Sequence, residues 1–140
     1  MQLNLSSIHL YKTLRQKPVQ FIYIPLMIYW LILFIATSVP IQEFPYFFEA
    51  QDKLEHFIAY FFLAILLFLT FHFQKRRNKL SKNALFFSII TIVIYAGFDE
   101  AHQLLIPGRY CDIFDFIFDV IGGVIGIFLT RLFFRKKIAA

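Results

Sequence analysis

The sequence predicts an all-α integral membrane protein, a four-helix bundle with both termini in the cytoplasm and one domain over residues 1–140. Hydrophobic residues make up 59% of the chain and aromatic residues 20%, whereas a soluble domain is closer to half apolar. The apolar residues form four blocks, each near the roughly 20 residues that cross a bilayer. Basic residues gather in the segments between these blocks, as membrane topology predicts.

The first predicted helix covers residues 21–39, a run of 19 residues without a charge. A cleavable signal peptide is the alternative, since residues 36–38 resemble a cleavage site. Signal peptides have apolar regions of only about 7–15 residues, so we expect a retained transmembrane helix. A loop with two prolines, residues 40–51, precedes the second predicted helix, residues 54–73.

The third predicted helix covers residues 84–106 and follows a strongly basic loop. Pro107 and Gly108 then predict a tight turn, because proline cannot continue a helix and glycine accepts unusual backbone angles. The fourth predicted helix covers residues 113–134.

Charge is sharply separated along the chain. Twelve of the 14 lysines and arginines flank the blocks on one side, and the exceptions are Lys53 and Arg109. The positive-inside rule therefore predicts that both termini and the loop between the second and third helices are cytoplasmic. All nine acids then lie toward the outer face. The net charge of +5 reflects this topology, and we expect no nucleic-acid partner.

Polar residues recur on one face of each of three predicted helices. At about 100° per residue, each set falls within a narrow arc: Asp52, His56 and Tyr60; Asp99, His102 and Gln103; Asp112, Asp115 and Asp119. Lipid cannot satisfy such groups, so we expect the three stripes to face each other in a pocket open to the outer surface. Glu100 is predicted to point to one side, and Gly122 and Gly126 to allow close helix contact.

The acids of this predicted pocket outnumber its cations, Lys53 and Arg109. Three outcomes would relieve the excess: protonated carboxyl groups, protonated His56 or His102, or a bound divalent cation. Carboxylates with one or two histidines would suit such an ion, although the spacing matches no established metal motif. Arg109 itself is either a turn residue that pairs with Asp112 or a group that faces a ligand.

The motifs resemble those of the VanZ-like membrane proteins. Residues 52–60 are similar to the family pattern DKxxHxxxY, and residues 99–126 to DExxQxxxPGR…D…G…G. The resemblance implies a protein of the bacterial plasma membrane, in a family linked to resistance to the glycopeptide teicoplanin. Where the family commonly has asparagine, this chain has Asp119. The extra carboxylate favours a protonated acid or a nearby cation.

Two functions remain open. In the first, the pocket binds a lipid headgroup or a cell-wall precursor, with Lys53 and Arg109 engaging phosphate or carboxylate groups. In the second, the protein is a membrane-edge hydrolase or transferase that acts on lipid-linked substrates. His56 or Glu100 would then be the general base and Asp99 would orient it; without a serine or threonine nucleophile in the cluster, metal-activated water remains. The candidate binding residues are Asp52, Lys53, His56, Tyr60, Asp99, Glu100, Gln103, Arg109, Asp115 and Asp119.

Overall fold

The computed structural model describes residues 5–40 and 51–138, so most of the predicted loop at 40–51 lies outside the described residues. Within these ranges the chain forms helices and no strand. In chain order the helices are α1 (Leu5–Gln16), α2 (Val19–Thr37), α3 (Gln51–Phe73), α4 (Asn78–Lys82), α5 (Ala84–Gln103) and α6 (Ile113–Ile138).

The predicted all-α membrane architecture is confirmed. In the described ranges, α2, α3, α5 and the Ile113–Phe134 part of α6 are long and apolar enough to cross a membrane. Large apolar side chains on their outer faces are more than half exposed, among them Met27 (69%) and Ile94 (67%). Such surfaces are suited to lipid, because apolar groups left in water forfeit about 25 cal/mol for each Å².

The first span begins irregularly. A π-helical turn over Val19–Tyr23 precedes the regular α-helix Ile24–Thr37. Pro25 is the cause, since proline has no N–H to donate to the carbonyl four residues earlier and its ring clashes with that carbonyl. A wider turn accommodates both effects without breaking the span.

Two short helices lie outside the predicted set. The amino-terminal helix α1 packs against one end of α3 and α6, where Tyr11 meets the rings of Phe73 and Phe134 at centroid distances of 5.1 and 5.9 Å. Leu14 is buried in the same cluster. Helix α4 has about one and a half turns and lies in the basic loop between α3 and α5.

Helix α5 ends at Gln103, three residues before its predicted end. The N–H groups of Leu105 and Ile106 bond to carbonyls only three residues back, which tightens the final turn. Arg109 N–H then donates to Ile106 O at 3.1 Å across Pro107 and Gly108. Gly108 has a φ of 80°, as the third position of a type II turn requires.

Glycines let α6 approach α3 closely. A Cβ on Gly122 would lie 2.2 Å from the carbonyl oxygen of Phe57, and one on Gly126 would lie 2.4 Å from that of Phe61. Neither distance leaves room for any side chain, so the backbones themselves are in contact. The predicted close contact at these two glycines is therefore present, and it brings the polar faces of α3 and α6 together.

Helix α2 completes the bundle from the side. Tyr29 donates its hydroxyl hydrogen to the carbonyl of Ala59 on α3 at 3.0 Å. Trp30 packs edge-on against Tyr95 of α5 at 5.0 Å between ring centroids. These contacts hold the end of α2 over the polar faces of α3 and α5.

Candidate functional site

The structure brings the predicted polar residues of α3, α5 and α6 together at one end of the bundle. Six side chains with carboxyl, imidazole or amide groups are buried there: His56, Asp99, Glu100, Gln103, Asp115 and Asp119. All of them except Gln103 belong to two layers, which we call the Lys53 group (Lys53, Asp52, Asp112 and Asp115) and the His56 group (His56, Tyr60, Asp99, Glu100 and Asp119).

The Lys53 group forms the outer layer. Lys53 Nζ donates to Asp112 at 2.6 Å, to Asp115 at 2.5 Å and to Asp52 at 3.2 Å. Asp112 also begins α6, because its Oδ1 accepts the N–H of Phe114 at 2.8 Å in the manner of an N-cap. The Lys53 ammonium and then this N–H hold the pKa of Asp112 below its usual range. One lysine thus joins the starts of α3 and α6.

The His56 group lies deeper, between all three helices. His56 Nδ1 is 3.0 Å from Asp119 Oδ1, and Asp119 is completely buried. On the other side of the ring, Nε2 is 3.9 Å from Asp52 Oδ1. Tyr60 donates its hydroxyl hydrogen to Asp99 Oδ2 at 3.2 Å. Asp119 and Asp99 come from helices other than those of their partners His56 and Tyr60, so the group depends on the packing of the bundle.

Glu100 was predicted to point to one side of the α5 stripe, and the structure buries that side. The residue is only 3% exposed, and its Oε2 accepts the backbone N–H of Asp112 at 2.8 Å. The tight turn after α5 folds the chain back, so the flank of α5 that carries Glu100 is covered by the start of α6. His102 packs against the rings of Phe34 and Phe98.

Arg109 does not pair with Asp112, whose carboxylate bonds to Lys53 instead. Its guanidinium donates to the carbonyls of Val39 at 2.8 Å and Ala36 at 3.2 Å. A third donor reaches Gln103 Oε1 at 3.5 Å. Both carbonyls lie at the carboxyl end of α2, where a cation is also favoured by the helix dipole. Arg109 therefore ties α2 to the turn that follows α5.

A cavity of about 130 Å³ opens between α2, α3 and α5 beside the His56 group. At roughly 30 Å³ for each water, it holds about four waters or a small polar group. It is lined by Leu33, Ala36, Thr37, Asp52, Glu55, His56, Ala59, Tyr60, Asp99 and Arg109.

Three of these lining residues come from α2, which the sequence interpretation left out of the site. Thr37 places a threonine hydroxyl in the cavity lining, and its Oγ1 donates to Phe34 O at 3.3 Å. A signal was present in the sequence. Trp30, Leu33 and Thr37 share one helical face, with the spacing expected of a face that packs inward.

Comparison with known proteins gives one match. The model of a family described as VanZ/LLP1 matches residues 5–134, a range that contains every residue of the Lys53 and His56 groups. No curated protein and no solved structure matches the chain.

Proposed function

The chain belongs to the VanZ/LLP1 family, and on that basis we propose that it binds, in the bacterial plasma membrane, the polar headgroup of a lipid or of a lipid-linked cell-wall precursor. By the resemblance described above, this binding would alter susceptibility to teicoplanin. The observation that carries the proposal is the cavity beside the His56 group, which is lined by both apolar and polar residues. An amphiphile needs both surfaces.

The cavity walls favour a particular kind of headgroup. Leu33, Ala36 and Ala59 form the apolar side, while Asp52 and Asp99 supply carboxylates. Carboxylates accept hydrogen bonds, so the lining favours a headgroup that carries an amine or hydroxyl groups.

Recognition of phosphate by Lys53 and Arg109 is less favoured than the sequence predicted. Lys53 is shared by three carboxylates, and Arg109 donates to two carbonyls of the α2 end. To engage a phosphate directly, either residue would have to give up contacts that hold helices together.

The orientation follows from the charges at the two ends of the bundle. The exposed Arg76 and Arg77 lie between α3 and α4, at the end away from the cavity. The positive-inside rule assigns that end to the cytoplasm, so the cavity would open toward the cell wall. A pocket on that side has access to lipid-linked precursors once they have crossed the membrane.

The test compares cells that express the wild type, Asp99→Asn or Ser88→Ala. Asp99→Asn removes a charge from the cavity wall with almost no change of shape. Ser88→Ala is the control on the same helix, because among the described residues its hydroxyl bonds only to the carbonyl of Ala84 within α5. We expect Asp99→Asn to lose the effect on teicoplanin susceptibility at equal membrane abundance, and Ser88→Ala to keep it.

A second measurement asks for binding directly. Purified protein in detergent should be stabilised more by phosphatidylethanolamine, which carries an amine, than by phosphatidylglycerol with the same acyl chains. The proposal is contradicted if Asp99→Asn keeps full activity in cells and the two lipids stabilise the wild type equally.

An enzymatic role is the second candidate, and one observation favours it. His56 is buried and held 3.0 Å from a buried carboxylate of Asp119, an arrangement that orients an imidazole as a general base. The protein would then be a hydrolase or transferase acting on lipid-linked substrates at the membrane edge. Incubation with a polyprenyl diphosphate should release phosphate with the wild type and none with His56→Gln.

A further inference from the structure

We propose that His56, Glu100 and Asp119 together bind one divalent cation. The three residues come from α3, α5 and α6, and all three are buried. Each offers one ligand atom, and these atoms lie within 4.8 Å of one another. Two ligands of the same ion, with bonds of about 2.0–2.6 Å, lie at most about 4–5 Å apart. The backbone therefore already holds the three side chains at the spacing that an ion needs.

The first argument is the charge of the His56 group. It contains three carboxylates, those of Asp99, Glu100 and Asp119, each at most 3% exposed. Lys53 does not offset them, because it bonds to the three carboxylates of the outer layer. Even with His56 protonated, about two negative charges would stay buried, and each buried ion costs several kcal/mol when it is not paired. One divalent cation would balance that excess.

The second argument comes from two particular oxygens. Glu100 Oε1 and Asp119 Oδ2 are buried and have no hydrogen-bond partner among the residues that the structure describes. The other oxygen of each carboxylate is engaged, with Asp112 N–H and His56 Nδ1 respectively. Each acid therefore has one oxygen in a polar contact and a second, buried oxygen without a hydrogen-bond partner in the described part of the chain.

A metal ion satisfies these oxygens more simply than bound protons do. A protonated carboxyl group becomes a donor and needs an acceptor of its own. A cation satisfies both oxygens at once, because it needs only acceptors around it.

The ligand set favours an ion of the first transition series or zinc. His56 Nδ1 lies 3.0 Å from Asp119 Oδ1, so an ion that takes Nδ1 as a ligand would replace this hydrogen bond and lie next to the Asp119 carboxylate. The opposite ring nitrogen lies 3.9 Å from Asp52 Oδ1, which is beyond hydrogen-bonding distance. One imidazole with carboxylates suits Mn²⁺ or Zn²⁺ better than Mg²⁺ or Ca²⁺, which prefer oxygen ligands alone.

The cation is proposed independently of the headgroup, and its test uses no lipid and no cells. Purified protein is treated with a chelator, exposed to Mn²⁺ or Zn²⁺, passed over a desalting column and analysed for metal content. We expect the wild type to hold about one equivalent of one of these ions. Glu100→Gln and Asp119→Asn, which keep the shape of each side chain, should lose about tenfold or more in affinity.

The matched control is Asp112→Asn. Asparagine is as good an N-cap as aspartate, so α6 should still begin normally, and Asp112 is not one of the three ligands. This variant should retain the metal. Circular dichroism establishes that every variant keeps its helices before its metal content is compared.

Two results would overturn the cation site. One is a wild type that holds less than about a tenth of an equivalent of either ion, since a site of this kind binds far more tightly than a desalting step removes. The other is equal loss of metal in Asp112→Asn and Asp119→Asn, which would mean that general negative charge attracts the ion. Neither result bears on teicoplanin susceptibility, so the two proposals fail separately.

Discussion

Replacing Gly122 with alanine should force α3 and α6 apart. The new Cβ would lie 2.2 Å from the Phe57 carbonyl oxygen, whereas real Cβ contacts stay beyond 3.0 Å, so the helices must separate by at least 0.8 Å. The obstacle is backbone, which cannot rotate away as a flexible side chain can. Overpacking of this kind typically costs about 1–3 kcal/mol of the free energy of unfolding.

The separation should reach the His56 group. Asp119 lies one turn before Gly122 on α6, and His56 is next to Phe57 on α3. A shift of 0.8 Å along the line between His56 Nδ1 and Asp119 Oδ1 would lengthen their 3.0 Å contact to about 3.8 Å. That distance is beyond hydrogen bonding, so the variant should lose the contact between His56 and Asp119 as well as stability.

The assay is unfolding in mixed micelles as the SDS fraction is raised, followed by circular dichroism. Gly97→Ala is the matched control, because a Cβ there would find its nearest neighbour, Phe116 Cε2, at 4.0 Å. Its free energy of unfolding should stay within about 0.5 kcal/mol of the wild type. Equal stability of Gly122→Ala and Gly97→Ala would refute the close approach of α3 to α6.

Further predictions concern the turn after α5. The exposed Cys111 should react with a membrane-impermeant maleimide on intact cells, and a reaction seen only after lysis would contradict the outward orientation. Partial desolvation and the neighbouring Glu100 raise the pKa of the Cys111 thiol; because the thiolate is the nucleophile, labelling should be slow at pH 7 and faster as pH rises. Glu100→Gln should accelerate labelling at pH 7, and an unchanged rate would contradict the proximity of the two residues. Arg109→Lys should lower the free energy of unfolding by about 1–2 kcal/mol in the SDS assay, because a lysine ammonium cannot bond to Val39 O and Ala36 O in the paired geometry of the guanidinium. A variant with wild-type stability would contradict this role of Arg109.

The spans were predictable from the sequence because membrane insertion depends on length and apolarity, which are local properties of the chain. The polar faces were predictable for the same reason. Simple angular projection places His56 and Asp119 on the inward stripes of their helices. Lipid offers polar groups no hydrogen-bond partners, so these stripes must face other helices. The contact between them needed no knowledge of the loops.

The errors lie where one helix meets another. Angular projection gives the direction of Glu100 about the axis of α5. It does not reveal that the turn after α5 brings the start of α6 over that side. Of the two roles left open for Arg109, pairing with Asp112 is not seen, because its guanidinium bonds to carbonyls at the end of α2 that are more than 65 residues away along the chain. Thr37 was omitted because only helices with charged residues were searched for a polar face, although the spacing of Trp30, Leu33 and Thr37 marked the inward face of α2.

The central claim, that α3 and α6 contribute His56 and Asp119 to one buried site, is tested most directly by a double-mutant cycle. The free energy of unfolding is measured for the wild type, His56→Gln, Asp119→Asn and the double variant. A buried contact at 3.0 Å predicts a coupling energy of about 1.5–3 kcal/mol between the two changes. Effects that add to within about 0.5 kcal/mol would show that the two side chains do not meet, and would contradict the account.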